Sequence, residues 1–79
     1  MTISVWKKKF GKNLEKLMTE KGINQTDLSR KADISQPRIH DYLEGKCIPN
    51  GWRLVNIAKV LECSVDDLVD FGEMIVEFR

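Results

Sequence analysis

Apolar and polar residues recur along the chain with the spacing of amphipathic helices. Phe10, Leu14, Leu17 and Met18 fall on one stripe of a first helix, and Gly22 follows as a typical C-terminal stop. Helical spacing continues over most of the sequence, and no internal repeat or low-complexity segment interrupts it. The pattern therefore predicts an all-α fold.

Polar residues with capping side chains mark the starts of the later helices. Asn24, Ser35 and Ser64 each follow an apolar residue that has an apolar counterpart five positions after it. This is the pattern of an N-cap combined with a hydrophobic staple, so side-chain caps are expected at all of these positions. A fourth helix is predicted after Asn50, and a short fifth helix is predicted from about residue 65 to residue 71.

The residues after Gly72 are β-branched and partly alternating. They are compatible with a short C-terminal strand, which needs a partner edge, or with a disordered tail. The sequence thus predicts one compact five-helix domain over residues 1–79, with a core at about 9–71. The tail, 72–79, is predicted either to take part in dimerisation or to be disordered.

The charge is unevenly distributed although its sum is small. The chain has 79 residues, 42% of them hydrophobic and 32% charged, with a net charge of +1. Residues 1–46 hold ten Lys/Arg and six Asp/Glu, whereas residues 47–79 hold three Lys/Arg and six Asp/Glu. Either the first half faces a polyanion, or the charges only solvate helix faces. No apolar run reaches the length of a signal peptide or a membrane span, so a cytoplasmic protein is expected.

Residue types that carry catalysis or bind metals are sparse. One histidine and two separated cysteines cannot form a four-ligand zinc site, and we expect reduced thiols with Cys63 buried. No glycine-rich phosphate loop is present, and no nucleophile has a histidine at a suggestive spacing. We therefore expect neither a cofactor nor enzymatic activity.

Two short helices predicted at about 24–32 and 35–44 are joined by very few residues. Such a link is too short for an antiparallel hairpin and forces a steep crossing angle, which is helix-turn-helix geometry. Asp33 is the expected turn residue, because aspartate tolerates a left-handed backbone better than most residues do. Ala32 is small where the two helices approach each other.

A set of residues around this pair carries a family resemblance: Gln25, Leu28, Ala32, Ile34, Ser35, Ile39, Tyr42, Gly45 and Pro49. With them, the chain resembles the phage repressor/Cro-like (Xre-type) helix-turn-helix transcriptional regulators over about residues 9–70. The resemblance implies a lambda-repressor-like domain that binds double-stranded DNA, and a regulator, more often a repressor, that occupies an operator. Two positions depart from the family pattern: Asp33 replaces the usual turn glycine, and Ser29 replaces another small residue.

The first turn of the second helix is the part of this motif that reaches base edges in the major groove. Gln36 can pair with adenine and Arg38 with guanine. Pro37 either only starts the helix or also touches a thymine methyl group. His40 is either a surface histidine or a further reader.

The resemblance assigns phosphate contacts to the start of the first helix of the pair, and to the loop and helix start that follow the second. The residues expected to make them are Gln25, Ser35, Lys46, Asn50, Trp52 and Arg53. Trp52 is alternatively a core residue.

Leu43 is apolar where family members often carry a charge, so it is either extra core or part of a subunit interface. With the tail residues Met74, Ile75, Val76 and Phe78 it makes a homodimer plausible. Such a dimer would hold two reading helices about 34 Å apart on a near-palindromic site. The rival prediction is an antitoxin or another protein-binding module that holds its protein partner with the acidic C-terminal half.

Overall fold

Helices joined by short turns and loops make up the described part of the protein. A computed structural model describes residues 3–69, with side chains from residue 5 onward. Its helices are α1 (Ile3–Lys21), α2 (Gln25–Ala32), α3 (Gln36–Leu43), α4 (Gly51–Leu61) and α5 (Val65–Val69). The prediction of five helices is confirmed, and no strand occurs between residues 3 and 69. The strand or tail predicted at 72–79 lies outside the described residues.

The core is built from the predicted apolar stripes. Phe10, Leu14 and Met18 of α1 are buried in one cluster with residues from all the other helices. Leu17, the fourth member of the predicted stripe, is half-buried and packs at the edge of this core. The core is thus contiguous, and each helix contributes one face to it. None of the helices between residues 3 and 69 is long and apolar enough to cross a membrane.

Side-chain caps fix the starts of three helices. The Asn24 side chain accepts a hydrogen bond from the Asp27 N–H at 2.8 Å, and Asn50 accepts one from the Arg53 N–H at 2.9 Å. Before α5, Ser64 Oγ accepts from the Asp67 N–H at 3.2 Å while Asp67 Oδ2 accepts from the Ser64 N–H at 3.1 Å. This reciprocal pair is a capping box.

The prediction of a side-chain cap at Ser35 is wrong, although Ser35 is the N-cap residue of α3. Ser35 has the extended backbone of an N-cap residue, with φ −62° and ψ 148°, but its side chain makes no capping hydrogen bond. Pro37 lies in this first turn and has no N–H to donate, which removes one of the donors that a cap would satisfy. The start of α3 is therefore set by the backbone and by burial of Ile34 and Ile39 rather than by a serine cap.

The helices cross so that α3 lies between α1 and α2. Helix α1 packs against α3 and α5, α2 packs against α3 and α4, and α5 also contacts α4. Asn13 of α1 donates a hydrogen bond from Nδ2 to the Leu68 carbonyl oxygen of α5 at 2.9 Å. This arrangement supports α3 from two sides and leaves its third side toward solvent.

Candidate nucleic-acid interface

The amino end of α3 projects away from the core. Ser35, Gln36, Pro37 and Arg38 are all exposed, whereas Ile39 is fully buried. Within the described residues, the side chains of Gln36 and Arg38 make no hydrogen bond or ion pair. Their polar groups are consequently available to a partner outside the domain.

The inner face of α3 is held tightly against α1. Ile39 and Tyr42 have no exposed surface, and the Tyr42 ring meets the edge of Phe10 with centroids 6.0 Å apart and planes at 83°. At Gly11, a Cβ atom would lie 2.7 Å from the Tyr42 carbonyl oxygen and 2.8 Å from that of Leu43. Only a glycine lets the backbones approach this closely, so Gly11 fixes the depth at which α3 sits.

The turn between α2 and α3 uses Asp33 in the left-handed conformation, as predicted. Its φ is 57° and its ψ is 47°, and its N–H donates to the Ser29 carbonyl oxygen. The same carbonyl accepts from the Ile34 N–H at 3.1 Å, and the Ser29 hydroxyl donates to the Ile34 carbonyl oxygen. The two departures from the family pattern thus meet in one turn, which Ser29 braces with both its backbone and its side chain.

Two further helix starts carry predicted phosphate contacts. Gln25 is the first residue of α2 and is half-buried. At the start of α4, Trp52 is 73% exposed, which rules out the alternative that it belongs to the core. Asn50 uses its side-chain carbonyl for capping, so its amide NH₂ group remains as a donor.

Comparison with known proteins identifies the arrangement. Residues 13–73 match the family of Cro/C1-type helix-turn-helix DNA-binding domains. The chain belongs to this family. The Cro/C1-type assignment establishes a DNA-binding transcription regulator, which confirms the resemblance, and such regulators are typically not enzymes.

A solved structure supports the Cro/C1-type fold. The restriction-modification controller protein C.AhdI from Aeromonas hydrophila is 22% identical, with a TM-score of 0.75. The alignment covers 78% of this chain and 94% of that one. A search of curated proteins finds no match.

The remaining predicted residues of this Cro/C1-type domain lie around α3. His40 is exposed, with Nε2 3.7 Å from Glu44 Oε1 one turn further along the helix. Lys46 is exposed in the loop after α3, and Arg53 is half-buried in the first turn of α4. Leu43 is half-buried and packs against the core, and the tail residues paired with it in the predicted interface lie outside the described residues.

Neither cysteine is fully buried, and the surroundings of Cys63 favour its uncharged thiol. Both thiols are free and half-buried, so the prediction that Cys63 is buried is wrong in degree. Burial raises the pKa of the Cys63 thiol, Asp67 raises it further, and Lys21 opposes the shift. The uncharged thiol is therefore favoured, which makes this group a poor nucleophile. Between residues 3 and 69, no three side chains of the metal-binding types gather at one place.

Sequence reasoning missed two residues: Gly11, which sets the approach of α3 to α1, and Asn13, which joins α1 to α5. Gly11 lies inside a helical pattern, and an isolated glycine there often has a packing reason, so this signal was present. Asn13 reads as one more polar residue on α1, and its bond to Leu68 depends on where α5 docks. No local pattern reveals that contact.

Proposed function

We propose that this protein binds specific double-stranded DNA sites with the amino end of α3 in the major groove. The observation that carries the proposal is the exposed first turn of α3, where the side chains of Gln36 and Arg38 have no partner among the described residues. Side chains that read bases must be long, polar and free of packing duties, and must project from a fixed backbone. Gln36 and Arg38 meet all of these requirements.

Gln36 and Arg38 are the proposed main readers. Gln36 pairs with N6 and N7 of adenine, and Arg38 pairs with O6 and N7 of guanine. Pro37 touches a thymine methyl group beside them. His40, about one turn later, contacts a base or the DNA backbone. Each good bidentate pair discriminates against a wrong base by about 1–3 kcal/mol.

Phosphate contacts come from the residues around α3. The helix starts of α2 and α4 point N–H groups outward, which favours anions. Trp52 forms a wall with its indole N–H beside the DNA backbone, and Lys46 adds charge from the loop. The proposed phosphate-binding set is Gln25, Ser35, Lys46, Asn50, Trp52 and Arg53. The Ser35 hydroxyl makes no capping hydrogen bond to α3, which supports the place of Ser35 in this set.

The regulatory consequence we propose is repression in the cytoplasm by occupancy of an operator that overlaps a promoter. Residues 1–79 act as one domain, and two copies form a twofold dimer through Leu43 and the tail residues Met74, Ile75, Val76 and Phe78. Two α3 helices about 34 Å apart then fit a near-palindromic site. The structural neighbour is a restriction-modification controller protein, which is compatible with regulation by a small protein of this fold.

A protein-binding role is the second candidate. The excess of acidic residues over 47–79 favours an antitoxin-like module that holds a basic protein. Co-purification of a small basic partner from the native host, in stoichiometric amount and with loss of DNA binding in the complex, would support this role over operator occupancy.

Selection of bound oligonucleotides from a random pool tests the main proposal. The expected result is an enriched, near-palindromic sequence bound at least about 10³-fold more tightly than random DNA. An enriched site without symmetry would contradict the dimer only. Failure to enrich any sequence would contradict specific recognition.

A further inference from the structure

A groove lies where the second half of α1, the start of α2 and the end of α3 meet. Its volume is about 550 Å³, which is within the range of small-molecule sites. Of the residues that line it, Gln25 and His40 are proposed DNA contacts, and the others are not. The groove is therefore a candidate ligand site inside the DNA-binding domain itself.

The groove is lined on one side by apolar side chains. Met18 contributes to it from α1, and Leu43 contributes from α3. Ile23, which directly precedes the Asn24 cap, is the third apolar residue of the lining. Leu43 and Ile23 are only half-buried, so apolar surface remains that a ligand could cover. Covering such surface favours binding because it removes apolar area from water.

The charged groups of the groove are acidic. Glu15 and Glu44 line it, and no Lys or Arg does, although residues 1–46 hold ten Lys/Arg. Within the described residues, Glu15 makes no ion pair, and the partner of Glu44 is His40 at 3.7 Å. An apolar surface beside two carboxylates is complementary to a molecule with one cationic end and one apolar end.

We propose that this groove binds a small organic cation, a primary ammonium or guanidinium group on an apolar body. The cation lies between Glu15 and Glu44, and the apolar body covers Leu43, Ile23 and Met18. Charge-assisted hydrogen bonds to the carboxylates give the site its selectivity for cations over anions.

Ligand binding also tightens DNA binding, an effect that rests on the proposed function. Gln25 and His40 line the same groove, and both are proposed to contact DNA. The carboxylates of Glu15 and Glu44 thus lie beside the expected path of the DNA backbone and repel its phosphates. A bound cation offsets one of their two negative charges, and by reciprocity DNA raises the affinity for the cation by the same factor. We expect a factor of about 5 or more at low salt.

Nuclear magnetic resonance titration without DNA tests the site directly. Phenethylammonium should cause saturable shifts at the Met18, Ile23 and Leu43 amides, whereas phenylacetate, with the same ring and the opposite charge, should not. Glu15→Gln or Glu44→Gln should weaken the binding several-fold. Glu20→Gln removes the same charge from an exposed position of α1 outside the groove, so it should leave the binding unchanged.

Equal responses to the two ligands would overturn the proposal. The proposal would also be overturned if the shifts did not saturate at about 10 mM phenethylammonium, ten times a Kd of about 1 mM. Equal effects of Glu15→Gln and Glu20→Gln on the binding would overturn it as well. Binding that leaves the affinity for the selected DNA unchanged would overturn only the coupling. Because the titration contains no DNA, failure of the proposed function leaves its outcome unaffected.

Discussion

The two faces of α3, a helix of eight residues, differ in burial: one is packed against the core and the other is exposed. On the inner face, Ile39 and Tyr42 have no exposed surface, and Gly11 lets the α1 backbone approach the helix closely. On the outer face, Gln36 and Arg38 are exposed and, within the described part of the chain, unpaired. The difference teaches that one face of α3 provides stability while the other is free for recognition.

Truncation of the inner face should have the largest effect. Ile39→Ala deletes fully buried methyl and methylene groups and leaves a cavity, so the free energy of unfolding should fall by about 2–5 kcal/mol. Gln36→Ala on the outer face should change it by less than about 0.5 kcal/mol. Urea denaturation followed by circular dichroism measures both. Similar losses in the two variants would contradict the separation of the faces.

Crowding of the inner face is the next largest effect. Gly11→Ala places a methyl group 2.7 Å from the Tyr42 carbonyl oxygen, which should lower the free energy of unfolding by about 1–3 kcal/mol. Gly51→Ala is the matched control, because a Cβ there meets nothing within 4 Å. It should be neutral or stabilising by up to about 1 kcal/mol. Thermal unfolding measures both variants, and equal stability of the two would contradict the close contact at Gly11.

Helix starts should differ according to their caps. Asn50→Ala removes the bond to the Arg53 N–H and should cost about 0.5–2 kcal/mol of stability. Ser35→Ala removes no capping bond and should stay within about 0.5 kcal/mol. A cost at Ser35 equal to that at Asn50 would mean that the serine hydroxyl does cap α3.

The smallest effect concerns the Tyr42 hydroxyl, which is buried without a hydrogen-bond partner among the described residues. Tyr42→Phe keeps the ring against Phe10 and removes an unsatisfied polar group. Stability should therefore stay within about 0.5 kcal/mol or rise. A loss of more than about 1 kcal/mol would indicate a partner outside residues 3–69.

Local patterns predicted most of the fold, since caps, staples and apolar stripes depend on residues a few positions apart. Asn24 and Ser64 cap as expected, and Asp33 adopts the predicted turn conformation. The cap predicted at Ser35 does not form, because Pro37 in the same turn has no N–H to donate to the serine hydroxyl. The glycine in the α1 pattern indicates a close contact, but its partner Tyr42 could not be predicted, because it lies 31 positions away and the approach depends on tertiary packing.

The candidate interface was predictable in residue type but not in accessibility. The sequence indicates that Gln36 and Arg38 begin a helix, and the structure adds that they are exposed and unpaired. Trp52 shows the same limit: a tryptophan near a helix start is equally compatible with core and surface until its exposure of 73% is known. Base and phosphate contacts remain predictions for every residue of the interface.

The most direct test compares Arg38→Ala with Lys46→Ala on the selected DNA site and on random DNA, by fluorescence anisotropy at several salt concentrations. Arg38→Ala should cost about 1–3 kcal/mol on the selected site and flatten the base preference. Lys46→Ala should weaken all sequences alike and reduce the salt slope by about one. Identical behaviour of the two variants would contradict the assignment of base reading to the first turn of α3.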